Sequence, residues 1–270
     1  MLKGHAKRVG METFQVRSEH LDRMVRVDIY HPLPATAEPL PLLLINDGQD
    51  LVTMDFTSIL ERLLHEGSIR PLICVGIHCG PDRRMEYGTA ARADFMGRGA
   101  KASAYTAFVF SELLPLVRRN STPSEFVDKS FAGFSLGGLS ATDIVWSHPH
   151  EFVRTGVFSG SLWWRMRDLD DDYVEERDRI MHDLVRNGHY APWLKFFFQT
   201  GVLDETADRN NNGIIDSIDD TLGLIAELVA KGYDRSRDIL YLEYADGRHD
   251  VPTWARAWPE FLKWGFPPVA

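Results

Sequence analysis

Short apolar runs spaced by longer amphipathic segments limit what this chain can fold into more than any other feature. Segments 41–45, 72–77, 129–132, 155–159, 195–199 and 239–244 are too short for helices and suit strands buried on both faces. Helical patterns separate most of them, at 55–65, 105–119, 137–147, 173–186, 219–231 and 253–264. Strand and helix alternating in this way predict a mostly parallel central sheet with helices on both faces. Ahead of this pattern, 12–17 and 24–30 alternate. Phe14, Val16, Val25, Val27 and Ile29 supply one apolar face, which predicts an antiparallel N-terminal hairpin. The proline-rich stretch 31–39 breaks the pattern before the first buried run. With 270 residues, 44% of them hydrophobic, the chain can bury one sizeable core, so a single α/β domain over 1–270 is expected.

Thirty basic residues against 39 acidic ones give a net charge of −9, which argues against nucleic acid or an anionic membrane as the main partner. No apolar run approaches the roughly 20 residues that span a bilayer, and no apolar segment with a cleavage site follows Met1. A cytoplasmic protein is therefore expected. Cys74 and Cys79 form neither a disulfide framework nor a metal-ligand pattern. The acidic stretch 168–176 reads as a solvated helix start.

The strongest local signal is Gly133-Phe-Ser135-Leu-Gly137-Gly, a Gly-x-Ser-x-Gly sequence between a predicted strand and a predicted helix. A serine on so sharp a turn needs small neighbours two positions away on each side, and Gly133 and Gly137 provide them. The following helix points its first amides at the serine, so the Leu136 amide is placed to hold an oxyanion. A nucleophilic serine needs a base, and His249 follows the last predicted strand in Asp246-Gly-Arg-His249-Asp-Val-Pro-Thr-Trp254. For the acid that orients it, Asp204 leaves the strand at 195–199, with Glu205 as its rival. Together these residues predict acyl-ester cleavage through a covalent acyl-enzyme with no cofactor for the chemistry. Transfer of the acyl group to an alcohol would use the same residues. A third reading is a non-catalytic calcium-dependent binding module on a hydrolase fold.

In these motifs the chain resembles the putative-esterase family of α/β hydrolases, which includes enterochelin esterases, feruloyl esterases, S-formylglutathione hydrolases and mycolyltransferases. The resemblance also runs through Leu44-Ile-Asn-Asp-Gly-Gln49, Arg83-Arg-Met-Glu-Tyr87, Glu112-Leu-Leu-Pro115, Ser159-Gly-Ser-Leu-Trp-Trp164 and Gly247-Arg-His-Asp-Val-Pro-Thr-Trp254. It implies the α/β-hydrolase fold, a Ser135-His249-Asp204 triad and the Gln49 amide as second oxyanion donor. A siderophore ester or an aromatic, feruloyl-type ester is the implied small-molecule substrate. Two departures stand out: Gly247-Arg248-His249 replaces the family's Gly-Gly-His, and a segment is inserted after Asp204. Longer enterochelin esterases carry an N-terminal domain before the hydrolase, and a lid from such a domain is not expected here.

The inserted segment, Asp208-Arg-Asn210-Asn-Asn212-Gly-Ile214-Ile-Asp216-Ser-Ile-Asp219, has the oxygen spacing of a calcium loop, with Gly213 at the sixth position. Asp208, Asn210, Asn212, the Ile214 carbonyl, Asp216 and Asp219 are the candidate ligands of a structural calcium ion. Tyr87, Trp163, Trp164 and Trp254 are candidates to line an aromatic-accepting cleft.

Overall fold

The computed structural model describes residues 6–170 and 172–268; Asp171, in the acidic stretch, lies outside the described residues. β1 (Val9–Ser18) and β2 (Arg23–Pro32) form the expected hairpin, with Phe14 opposite Val27 and Val16 opposite Val25. The chain continues through β3 (Leu40–Asn46), α1 (Gly48–Thr53), α2 (Phe56–His65), β4 (Ile73–Ile77), α3 (Arg83–Glu86) and α4 (Ala102–Phe108). A π-helical turn, Val109–Leu113, joins α4 to α5 (Leu114–Asn120). There follow β5 (Phe126–Phe134), α6 (Leu136–Ser147), β6 (Arg154–Phe158), α7 (Glu175–Asp178), α8 (Ile180–Asn187) and β7 (Lys195–Leu203). The chain closes with α9 (Asp216–Lys231), β8 (Ile239–Arg248) and α10 (Val251–Gly265).

One sheet has the order β1-β2-β4-β3-β5-β6-β7-β8. Its β1-β2 and β2-β4 pairs are antiparallel and all later pairs parallel. Both faces are covered, so β3 buries apolar side chains on both sides: Leu42 and Leu44 join one core cluster while Leu43 and Ile45 join the other. Parallel strands end on a common edge, so the exits of β3, β5, β6, β7 and β8 lie side by side. The site is built there.

Three local differences from the sequence reading have physical causes. The helix expected over 173–186 is two short helices, because Arg179 is extended (φ −77°, ψ 109°), bridges Arg165 and reaches Asp220 with its guanidinium. The helix expected over 105–119 contains the π-turn just before Pro115, a residue with no N–H to donate. Finally, α9 begins at Asp216 rather than Asp219, placing both carboxylates in its first turn, where the helix dipole favours them.

Candidate active site

Ser135 occupies the turn between β5 and α6 with φ 54° and ψ −122°, a conformation that non-glycine residues rarely adopt. Backbone contact holds it there. A methyl group at Gly133 would lie 2.4 Å from the Gly137 carbonyl, so strand and helix meet only because residue 133 is glycine; one at Gly137 would lie 2.6 Å from the Asp47 carboxylate. The Ser135 amide donates to the Phe158 carbonyl at the end of β6 (3.0 Å). Leu136 opens α6, and its amide has no partner within the helix.

The β3 exit packs against this turn. Asn46 Nδ2 donates to the Gly137 carbonyl (2.7 Å), and Tyr105 Oη donates to Asn46 Oδ1 (2.5 Å). Asp47 is left-handed (φ 60°) and leads into α1, where Gln49 is the second residue, so its amide also lacks a helical partner. The Asp47 carboxylate is 1% exposed and takes two 2.7 Å hydrogen bonds from Arg83, whose Nη2 also reaches the Phe134 carbonyl (3.3 Å). Burial works against the Arg83 charge, but the bonds and charge of Asp47 outweigh it and raise the pKa.

Asp204 and His249 are brought together by the register of the last two strands. Leu203 pairs with Arg248, so Asp204 and His249 leave parallel β7 and β8 as neighbours. A methyl at Gly201 would lie 2.4 Å from the Gly247 carbonyl, so this close crossing requires glycine. Asp204 Oδ2 accepts from the Gly201 amide (3.0 Å), whereas its buried Oδ1 has no partner among the described residues. Burial raises the Asp204 pKa, opposed by the Gly201 amide, Ser159 and His249. His249 is exposed and meets the Trp254 ring edge-on at 5.4 Å. Lost hydration lowers its pKa, Asp204 opposes this, and the Arg83 cation adds to the lowering. A base held below its ordinary value is neutral, and able to accept a proton, at pH 7. Glu205, the rival acid, faces Ser217 at the start of α9 instead.

Of the expected aromatic wall, Tyr87 and Trp164 are 0% exposed and offer no surface to a ligand. Tyr87 Oη accepts from the Asp47 amide (3.3 Å), and Gly88 and Gly99 close over the Trp164 ring. Trp254 is 7% exposed, stacks on Phe134 at 4.8 Å and gives its Nε1–H to Ser159 Oγ (3.0 Å). Trp163 is half-buried, with the Arg98 guanidinium 4.9 Å over its ring. Two residues without an assigned role in the sequence reading enter the site: Ser161 Oγ lies 3.1 Å from Ser135 Oγ, and Arg83 borders the turn. Both fall inside motifs of the resemblance, but spacing alone does not reveal a hydroxyl contact.

In the 208–219 loop, Asp208 accepts from the amides of Asn212 (3.1 Å) and Gly213 (2.9 Å), Asn210 Oδ1 accepts from Asn212, and Asn212 Oδ1 accepts from Ile214. Asn210 Nδ2 donates to Asp219 (2.9 Å), so the side chains at the first, third and twelfth positions are drawn together. Asp216 turns away to Arg209, 3.3 Å from its guanidinium. Among the described residues no three His, Cys, Asp or Glu side chains are grouped as a metal site. No helix among them is long and apolar enough to cross a membrane.

The chain is similar to known proteins. The chain is 27% identical over 240 residues to the iron(III) enterobactin esterase of Escherichia coli K12, covering 88% of this chain and 52% of that protein. It thus spans about half the length of the curated relatives it matches. A crystal structure of the enterobactin esterase of Shigella flexneri superimposes with a TM-score of 0.73 at 23% identity, over 94% of this chain and 58% of the other. The siderophore hydrolase EstA of Aspergillus nidulans gives 0.70 at 17% identity, over 97% and 96%. These neighbours share the α/β-hydrolase fold. The family described as "Putative esterase" matches residues 18–264, nearly the whole chain, and this protein belongs to it.

Proposed function

We propose that the chain is a serine carboxylic-ester hydrolase acting through an acyl-enzyme, with Ser135 as nucleophile, His249 as general base and Asp204 as the acid that orients it. The observation that carries this reading is the strained Ser135 turn at the strand exits, on the same edge where Asp204 and His249 emerge as neighbours. Ser135 Oγ gives its proton to His249 and attacks the ester carbon. The amides of Leu136 and Gln49 hold the resulting oxyanion. The unpartnered Asp204 Oδ1 accepts from the imidazole and stabilises its charged form. His249 then protonates the departing alcohol, and water repeats the sequence to release the acid.

Relatives that are enterobactin esterases and a siderophore hydrolase favour a siderophore or aromatic ester as substrate. Trp163 is the aromatic side chain left to meet it. The test is hydrolysis of ferric enterobactin, feruloyl esters and an aliphatic series by wild type and Ser135→Ala. Wild type cleaves aromatic esters faster than long aliphatic ones and the variant cleaves neither. Hydrolysis surviving in Ser135→Ala would end the reading.

We also propose that the 208–219 loop takes a calcium ion. Its donor set is all hard oxygen, and Asp208, Asn210 and Asp219 already approach one another. Asn210 would present its carbonyl oxygen, and Asp216 would have to leave Arg209. At about a hundred times its Kd the ion stabilises the fold by roughly 2.7 kcal/mol, read as a rise in Tm over the same protein in EGTA. Equal melting with calcium and with EGTA would leave the loop closed by its own hydrogen bonds.

A further inference from the structure

The turn that leaves β6 meets Ser135 and Asp204 and reaches His249 through Trp254. Ser159 adopts φ 46°, strained for a residue with a side chain, and its amide donates to the Gln199 carbonyl on β7 (2.8 Å). Its Oγ accepts from Trp254, the ring that backs His249, and its side chain favours the charged form of Asp204. A methyl at Gly160 would lie 2.4 Å from Val157, so the turn closes only on glycine. Next, the Ser161 amide donates to the Ser135 carbonyl (3.1 Å) and Ser161 Oγ lies 3.1 Å from Ser135 Oγ. Ser161 is 2% exposed, and Ser135 is the only side-chain partner of its hydroxyl among the described residues. Leu162 and Trp164, both fully buried, anchor the following segment. The Ser161 hydroxyl is therefore fixed in place before any substrate arrives.

We infer that Ser161 is a catalytic residue that donates its hydroxyl hydrogen to Ser135 Oγ as that oxygen becomes the nucleophile. The inference rests on the proposed role of Ser135. A serine hydroxyl has one hydrogen to give and two lone pairs to accept with. When Ser135 gives its hydrogen to His249, its oxygen can still accept from Ser161. As the proton moves to His249 and a lone pair of Oγ forms the bond to the acyl carbon, the carbonyl π electrons move to the oxyanion. The oxygen of Ser135 carries most negative charge early in this step, and an O–H donor to a charged oxygen is about twice as strong as one to a neutral oxygen. Ser161 keeps its proton throughout. Its contribution is greatest while the nucleophile is charged and fades once the ester bond has formed, which is the differential binding that speeds a reaction.

The experiment measures the second-order rate at which a fluorophosphonate reacts with Ser135, together with kcat and KM for one aromatic ester, in wild type, Ser161→Ala and Ser161→Cys. Ser161→Ala should lose about ten- to a hundred-fold in both the labelling rate and kcat, the range for a hydrogen bond to a charged group, with KM little changed. Its pH profile should keep the wild-type midpoint on a lower plateau, because His249 is untouched; a shifted midpoint would mean that the base had been displaced and would overturn the inference. Ser161→Cys keeps a weaker donor and should fall between wild type and Ser161→Ala. Labelling of Ser161→Ala at the wild-type rate, or Ser161→Cys as slow as Ser161→Ala, would also overturn it. Neither of these results would touch the role of Ser135. Hydrolysis by Ser135→Ala, in contrast, would remove both the proposed mechanism and this inference.

Discussion

Around Ser135 the chain is held by backbone against backbone, with Gly133 on Gly137 and the Gly137 carbonyl pinned by Asn46. Around the segment that follows Asp204 it is held by charge. Arg209 pairs with Glu175, Asp216 and Asp220, while Arg179 pairs with Glu175 and Asp220 from the other side. The Asp216 amide closes on the Ala207 carbonyl (2.8 Å), tying the acid-bearing loop to α9. The Ser135 turn thus depends on the absence of a side chain at Gly133, and the segment after Asp204 on opposite charges staying paired. A sterically fixed part fails when atoms are added. An ionic part fails when one partner is removed or titrated.

The largest expected effect lies where the two regions meet. Ser135→Ala and His249→Ala should each lower kcat by about four orders of magnitude or more without unfolding the chain, since triad members act as a unit. Steady-state assays with a melt on the same samples check this. Asp204→Asn should cost less than either, and Glu205→Gln little. The reverse ranking would move the acid to Glu205 and break the link between β7-β8 register and chemistry.

Removal of one charge comes next. Arg209 is 7% exposed, so Arg209→Met leaves buried carboxylates short of a partner and should destabilise the fold by about 3 kcal/mol in a urea melt. If the network also places Asp204, kcat falls with stability while KM holds. A variant that is destabilised but fully active would show that the acid is set by the β7-β8 crossing alone.

How far the sequence foretold these two regions follows from what holds each one. The Ser135 turn is local: glycine spacing, a strand before and a helix after define it, and all of them are read along the chain. The run at 239–244 reads as buried on both faces, but β8 is the edge strand and largely half-exposed, and nothing in its pattern records that it pairs with β7. The break at Arg179 has a cause 41 residues away, at Asp220, and no periodicity in 173–186 records it. Burial of Trp164 depends on Gly88 and Gly99 closing over its ring and that of Tyr87 on packing edge-on against Tyr105, so aromatic type alone suggested a cleft wall where the structure has core. Ser161 was hidden because its contact with Ser135 crosses from one strand exit to another.

A smaller effect contrasts the two regions through pH. On α6, Asp143 is 2% exposed with one oxygen accepting from the Ala90 amide and the other without a partner among the described residues, and burial pushes its pKa up to about 7. The unfolded carboxyl titrates near 3.9. Between these values the native state binds more protons than the unfolded one, so stability falls as pH rises, by up to about 1.4 kcal/mol per pH unit. Asp143→Asn should flatten this slope in melts from pH 4 to 7. Glu175 behaves oppositely: burial works to raise its pKa, but Arg209 and Arg179 hold it below its ordinary value, so its contribution is present at neutral pH and lost as pH falls. A slope unchanged by Asp143→Asn would remove the contrast.

The most direct test of the account is the site and pH dependence of covalent labelling. Intact protein treated with a fluorophosphonate, digested and mapped by mass spectrometry, should carry one adduct on Ser135, absent from Ser135→Ala. The labelling rate should rise with pH to a midpoint below 6.5, the ordinary histidine value, because lost hydration and Arg83 keep His249 neutral. An adduct on another serine, or no adduct at any pH with the protein folded, would contradict the assignment of Ser135 and His249 as nucleophile and base.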